Sequence, residues 1–286
     1  MKINQTLPDK HSFLQVTAHI PNPPKTLYYI GTLPEKRIPT IAIVGTRKPT
    51  TYGTEVTNRL THDLAAKGVV VVSGLALGVD ALAHKAALDA KGVTIAVLPC
   101  GLNKIAPATN RGLAISILKK GGALVSEYPD TEVISWKSNM HQRNRIVSGL
   151  SDAILITEAS ARSGTLNTAA HALAQGKTVF VVPGNITSPS SAGCNALLKQ
   201  GATPVTEAAD VLQVIAPHLI TAQNILALGS NPLESKIIKL LNDGLRDGEQ
   251  IQRELSLSTS EFNTALTMLE LSGAIRPLGA NQWALR

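Results

Sequence analysis

Ile41-Ala42-Ile43-Val44-Gly45-Thr46-Arg47-Lys48-Pro49-Thr50-Thr51-Tyr52-Gly53 sets the pattern that decides the fold. An apolar, largely β-branched run passes into a glycine-bearing turn, and the turn into a stretch of helical composition at 54–67. The theme returns at Val69-Val70-Val71-Val72, Thr94-Ile95-Ala96-Val97-Leu98, Ala123-Leu124-Val125, Ala153-Ile154-Leu155-Ile156 and Thr178-Val179-Phe180-Val181-Val182. Helical stretches at 80–91, 109–120, 165–175 and 192–200 lie among these runs. The runs are continuous rather than alternating, which marks strands buried on both faces of a parallel sheet. Alternation of strand and helix then predicts an α/β fold with a doubly wound, mostly parallel sheet of six strands.

Composition bounds the rest. The 286 residues are 44% hydrophobic, 16% charged and 3% aromatic, so the core must be built from Ala, Val, Ile and Leu. That length predicts one large domain with a small appendage. Cys100 and Cys194 are too few for a disulfide framework or a four-cysteine zinc site. No run approaches the ~18 apolar residues a membrane helix needs, and the first thirty residues hold no secretory signal. The expectation is a soluble, cytoplasmic protein with no membrane partner. Lys and Arg number 27 against 20 Asp and Glu. The tail 233–286 holds 6 basic and 7 acidic residues, so the whole positive excess lies upstream of it. A basic excess attracts phosphate polymers, although a solvated lysine-rich surface gives the same count.

The organisation reads as a polar, proline-rich arm at 1–25, the α/β domain at 26–215, a linker at 216–232 and the tail at 233–286. The tail carries helical patterns at 234–241, 249–255 and 259–271, the last opened by a Thr259/Ser260 cap. Two short strands follow, at 274–277 and 282–285. Three helices and a hairpin predict a winged helix. Its candidate recognition helix holds Glu261 and Glu270 and no Lys or Arg, which disfavours a duplex groove and favours a protein-contact or regulatory role.

Ligands of a parallel α/β sheet bind beyond the carboxyl ends of its strands. Three glycine turns occupy that position: Gly45-Thr46-Arg47, Ser73-Gly74 leading to Asp80, His84 and Lys85, and Ser163-Gly164-Thr165. Such turns at helix N-termini offer amides to phosphate, and tight packing turns look the same. A basic segment, Trp136-Lys137-Ser138-Asn139-Met140-His141-Gln142-Arg143-Asn144-Arg145, adds arginine forks suited to phosphate oxygens. Structural pairing of Arg143 and Arg145 with Glu127, Asp152 or Glu158 is the alternative. No P-loop, no spaced-glycine dinucleotide fingerprint, no Gly-x-Ser-x-Gly and no metal-ligand histidine spacing is present. His84 reads as a cap or packing residue, and the two cysteines as small fillers.

Six motifs occur in order: Gly-Thr-Arg-x-x-Thr-x-Tyr-Gly at 45–53, Ser-Gly-x-Ala-x-Gly-Val-Asp-x-x-Ala-His at 73–84 with Ala76 in its first alanine place, Arg-Asn-Arg-Ile-Val-Ser-Gly-Leu-Ser at 143–151, Glu-Ala-x-x-x-Ser-Gly-Thr-Leu-x-Thr-Ala at 158–169, Val-Pro-Gly-Asn at 182–185, and Asn-x-Leu-Leu-x-x-Gly-Ala at 195–202. Together they closely resemble the DNA-processing protein A (DprA/Smf) family, and the tail resembles the winged helix that many members carry. The resemblance implies an extended Rossmann-like domain that binds single-stranded DNA. It also implies protection of incoming strands in natural transformation, loading of the RecA recombinase, homodimerisation and no established catalysis or cofactor. The DNA-binding residues expected on this basis are Gly45, Thr46, Arg47, Ser73, Gly74, Lys85, Lys137, Met140, Arg143, Asn144, Arg145, Ser163, Gly164 and Thr165. The dimer surface is expected within 165–202. Where the family tends to read Phe-Pro-x, this chain has Met140-His141-Gln142, so base stacking should be weaker than the roughly 1–3 kcal/mol of an aromatic. Ala106-Pro107 stands where Tyr-Pro is usual. Two rival readings share the fold. One is a nucleotide phosphoribohydrolase-like enzyme, disfavoured because Thr168 occupies the place of its carboxylate. The other is a molybdenum-cofactor or other small-nucleotide carrier, which leaves the basic segment unexplained.

Overall fold

The computed structural model describes residues 2–131, 136–224 and 231–285; the side chains of residues 136, 137 and 221–224 lie outside the description. The chain divides into two compact units, Met1–Pro217 and His218–Arg286. In the first, β1 (Asn4–Thr6), β2 (Leu27–Gly31), β3 (Thr40–Val44), β4 (Val70–Ser73), β5 (Thr94–Val97), β6 (Ala123–Ser126), β7 (Ala153–Ile156), β8 (Thr178–Val181) and β9 (Thr203–Pro204) form one sheet. Its strand order is 1-2-6-5-4-3-7-8-9. The seven strands from β6 across to β9 run parallel, while β2 joins β6, and β1 joins β2, antiparallel.

The helices of this unit are α1 (Thr51–Ala66), α2 (Val79–Asp89), α3 (Arg111–Lys119), α4 (Trp136–Gly149), α5 (Thr165–Ala174), α6 (Ala192–Lys199) and α7 (Ala208–Ile215). Because successive strand side chains point to opposite faces, each run feeds two cores. Ala42, Val44, Val72, Val97, Ile154 and Ile156 pack against Ile146 and Val147 of α4 and Leu150 just after it, Ala169 and Ala172 of α5, and Cys194 and Leu197 of α6. On the other face Ala96 and Leu124 meet Leu88 of α2 and Ala114 and Ile117 of α3. Helices therefore cover both faces, as the continuous apolar runs require. His84 is wholly buried, shares a 2.7 Å hydrogen bond with Thr94 Oγ1, and burial pulls its pKa down to about 3, so it stays neutral as a packing residue.

The structure corrects the sequence reading at three places. The sheet has nine strands where six were expected. The arm expected at 1–25 is built into the unit: Asn4, Gln5 and Thr6 pair with Tyr29, Tyr28 and Leu27, and Phe13 and Leu14 are fully buried. Residues 136–149 form α4, a helix absent from the stretches expected above.

The second unit contains α8 (Pro217–Asn224), which begins inside the expected linker, then α9 (Pro232–Asn242), α10 (Gly248–Glu254), α11 (Thr259–Leu271) and the hairpin of β10 (Ile275–Gly279) and β11 (Gln282–Leu285). Ile237, Ile238, Ile251, Phe262, Leu266, Leu269 and Ile275 form its own core. This is the winged helix. The cap of α11 is Ser258, not Thr259 or Ser260. Ser258 Oγ accepts from the Glu261 amide while the Glu261 carboxylate accepts from the Ser258 amide, a reciprocal capping box.

The carboxyl end of α4 is tied down by two cations. Lys177, between α5 and β8, donates from Nζ to the carbonyls of Ser148, Gly149 and Ser151 at 2.6, 2.7 and 2.5 Å. Arg37 donates to the Leu150 carbonyl at 2.7 Å and pairs with Asp152 at 2.6 Å. The last carbonyls of a helix have no partner within it, and these side chains supply one. Burial, and then the Arg37 charge, pull the Lys177 ammonium down to about 8. Lys177→Met keeps the aliphatic stem and removes the donors. It is expected to cost about 1–3 kcal/mol, read as a lower urea midpoint at unchanged slope. A midpoint equal to that of the parent would show that the three carbonyls are satisfied without Lys177.

Candidate nucleic-acid interface

Strand order reverses at β3. From it the chain winds outward through β4, β5 and β6, then returns to the other side of β3 as β7 and continues to β8 and β9. The turns leaving β3 and β7 lead into α1 and α5 and leave a crevice between them, the position where doubly wound sheets bind ligands. A cleft of about 630 Å³ opens there. It is lined by Gly45, Thr46 and Arg47 after β3, Gly74, Ala76 and Asp80 around the start of α2, Met140, His141, Arg143 and Asn144 of α4, and Ser160, Ser163, Gly164, Thr165 and Thr168 around the start of α5.

The first turn is fixed from beneath by Glu158, which is 2% exposed. Its carboxylate accepts from the Thr50 amide at 2.8 Å and the Thr50 hydroxyl at 2.7 Å, and its backbone carbonyl accepts from the Thr46 amide at 2.8 Å. The second turn packs directly on the first. Gly78, at φ +78°, has no room for a Cβ, which would lie 2.3 Å from the Thr46 carbonyl oxygen. The Thr46 carbonyl in turn accepts from the Val79 amide at 3.1 Å. The Val79 amide at the start of α2 is therefore occupied from within and is not the free phosphate donor the sequence reading expected.

The floor of the cleft is a buried charge arrangement. Arg143, 6% exposed, donates from Nη1 to the carbonyls of Gly74 and Val97 at the ends of β4 and β5. Gly74 has to be glycine, because a Cβ would sit 2.5 Å from the guanidinium. Asp80, also 6% exposed, accepts from the Gly74 amide at 3.0 Å. Burial pushes the Asp80 carboxyl up, against the pull of Arg143 and of the Gly74 and Ala76 amides. Burial pushes the Arg143 guanidinium down, and Asp80 opposes that.

The fourteen expected residues now separate. Gly45, Thr46, Arg47, Gly74, Met140, Arg143, Asn144, Ser163, Gly164 and Thr165 line the cleft. Arg143 does so as a floor whose Nη1 is committed to carbonyls, so the expectation of a free phosphate fork is corrected for it. Arg145 is turned away and buried, with Nη1 and Nη2 on the Glu127 carboxylate at 3.0 and 2.6 Å. Its expected phosphate role is corrected to the structural pairing named as the alternative. Ser73 is fully buried and donates to the Ile43 carbonyl at 2.6 Å, which removes it from the interface. Lys85 is exposed on α2 and does not line the cleft. The Lys137 side chain lies outside the described residues. Asn144 bridges helices, donating to Asn167 Oδ1 at 3.1 Å.

What remains at the rim is Arg47, exposed, with Nη2 3.1 Å from the Met140 sulfur, and the turn before α5. Gly164 there is exposed, with open space where a Cβ would lie, and Ser163 Oγ accepts from the Thr165 amide at 3.2 Å. Sequence reasoning gave no ligand role to Asp80, His141, Ser160 or Thr168. Asp80 and Thr168 stood inside quoted motifs and His141 inside the basic segment; the signal for Asp80 and His141 was position on the first turn of α2 and on α4.

The family model for DNA recombination-mediator protein A matches residues 5–216, and that for the DprA winged helix domain matches 202–281. The chain belongs to the DprA/Smf family. Protein Smf of Escherichia coli is 47% identical over 190 residues, covering 66% of this chain and 50% of that protein. DNA processing protein DprA of Bacillus subtilis is 43% identical over 173 residues, covering 60% and 58%. The chain thus spans about half the length of the curated relatives it matches. The crystal structure of DprA from Streptococcus pneumoniae superposes with a TM-score of 0.69 at 34% identity, over 75% of each chain. That of Helicobacter pylori DprA, described as revealing a unique single-stranded DNA binding mode, superposes with a TM-score of 0.63 at 32% identity, over 78% of this chain and 96% of that one.

The inward-turned and rim arginines of this DprA-family protein are separable by stability. Arg145→Ala leaves the Glu127 carboxylate, 13% exposed, without its partner and is expected to cost about 3–5 kcal/mol. Arg47→Ala, at an exposed site, is expected to stay within about 0.5 kcal/mol of the parent. Urea titration of both decides it, and equal losses would contradict the division into structural and rim arginines.

Proposed function

We propose that this protein holds single-stranded DNA across the cleft at the β3/β7 crevice without breaking it, and that it does so as a homodimer that protects the strand and passes it to the RecA recombinase. The observation that carries the reading is an open cleft in which the charged floor is neutralised by internal partners. The rim, by contrast, presents the exposed guanidinium of Arg47 and the hydroxyl-bearing turn of Ser163, Gly164 and Thr165. Such a rim suits successive phosphates of a flexible strand, whose backbone it can follow. Family membership and the Helicobacter pylori relative support the choice of ligand. Met140 offers a soft apolar contact to a base in place of a stacking ring.

Homodimerisation is supported by Leu173 and Ile186, exposed at 59% and 91% within the region expected to carry the dimer surface. For the winged helix, α11 presents exposed Met268 and Leu271 alongside Glu261 and Glu270, a surface better matched to a protein than to a duplex groove. The enzyme reading finds Thr168 lining the cleft where a carboxylate would be needed. The carboxylate that does line it, Asp80, is engaged with the Gly74 amide and the Arg143 charge.

A gel-shift comparison of single-stranded with duplex DNA over a salt series tests the proposal. Single strands should bind tighter, with log affinity falling against log salt at about −0.7 per phosphate contacted. Arg47→Glu should weaken single-strand binding about tenfold or more while leaving the urea midpoint near that of the parent. Parental affinity in that variant would move the binding surface elsewhere.

A further inference from the structure

We propose that His141, an exposed imidazole on the wall of the cleft, is a phosphate contact whose protonation makes the hold on single-stranded DNA pH-dependent; this rests on the reading of the cleft given above. His141 stands on α4 next to Met140 and lines the same cleft as Arg47, Thr46 and Gly164. The floor cation Arg143 is committed to two carbonyls. Among the described lining side chains, Arg47 and His141 are then the ones able to carry positive charge outward to a ligand.

The surroundings leave the imidazole available. From α5, burial pulls the His171 pKa down; the nearby His141 backbone favours its proton, and the charges of Arg145 and of the His141 ring oppose it. On α4 itself Arg145 is turned inward onto Glu127, and Lys137 lies one turn earlier in the chain. Arg47 faces the cleft from the turn after β3, and Arg162 is exposed on the turn before α5. Three carboxylates near the cleft, Glu127, Asp80 and Glu158, are held by Arg145, by the Gly74 amide with Arg143, and by the Thr50 amide and hydroxyl. None of the three is free to take the charge of an imidazolium at position 141. A phosphate is.

Histidine is the side chain that ordinarily changes charge across the physiological range. A phosphate seated against the ring favours the protonated form, so binding takes up a proton and affinity rises as pH falls. The experiment is fluorescence anisotropy of the full chain with a labelled oligothymidylate, from about pH 6 to about pH 8 at fixed ionic strength, a range in which neither thymine nor the phosphodiester titrates. The wild-type dissociation constant should rise roughly tenfold across the series, the size of one charge-assisted contact. His141→Gln should flatten the profile. His141→Lys, charged throughout, should flatten it near the acid-side affinity of the parent, and His171→Gln should keep the slope. A His141→Gln profile parallel to the parent, or a flat profile in His171→Gln alone, overturns the inference and leaves the cleft reading intact. No binding by the parent at any pH overturns both.

Discussion

A guanidinium with almost no access to water holds this fold's working edge together. Arg143 reaches from α4 under the cleft to the carbonyls that end β4 and β5, and faces Asp80 from there. A buried cation is tolerated only where its hydrogen bonds and charge are answered, and here backbone oxygens and a carboxylate answer it. The arrangement constrains its neighbours in turn. Gly74 can carry no side chain, Asp80 must stay on the first turn of α2, and α4 must lie across the strand ends at one height. Two residues on, Arg145 takes a different direction around the helix and locks onto Glu127 beyond β6. Lys177 and Arg37 close the far end. With polar ties at its middle and end, α4 presents Met140 and His141 to the cleft from a fixed position.

The α/β class, the parallel strands and the winged helix were legible because each rests on a period or a composition that packing does not alter. The run Ile41–Val44 is buried on both faces and reads so. What escaped is what tertiary context decides. The segment 1–25 looks polar and proline-rich, yet Phe13 and Leu14 are enough to anchor it, and Asn4–Thr6 needs only an open edge to pair with. Helix α4 lacks an apolar stripe because its inward face includes arginines, which hydrophobic periodicity counts as solvent-facing.

The site was legible as a place and less so as a set of roles. Position after the strands located the three glycine turns correctly, since ligand crevices follow from strand order. Residue type alone could not distinguish an arginine that meets solvent from one that meets Gly74 O. Arg47, Arg143 and Arg145 all stand in the quoted motifs and differ in what lies opposite them. Likewise, the Val79 amide at the start of α2 looked free until the Thr46 carbonyl proved to hold it. The result is a division between a neutralised floor, which sets shape, and a sparsely charged rim, which can meet a ligand.

The sheet's margins add a constraint on how copies of the chain can meet. One border strand, β9, is two residues long and ends in Pro204, which has no amide hydrogen to offer; the other, β1, spans three residues. Such blunt borders give a neighbouring sheet almost no ladder to extend. Any pairing of copies of this unit is therefore better served by helix and loop side chains, which can close a pair, than by main-chain rungs, which would propagate into a fibre.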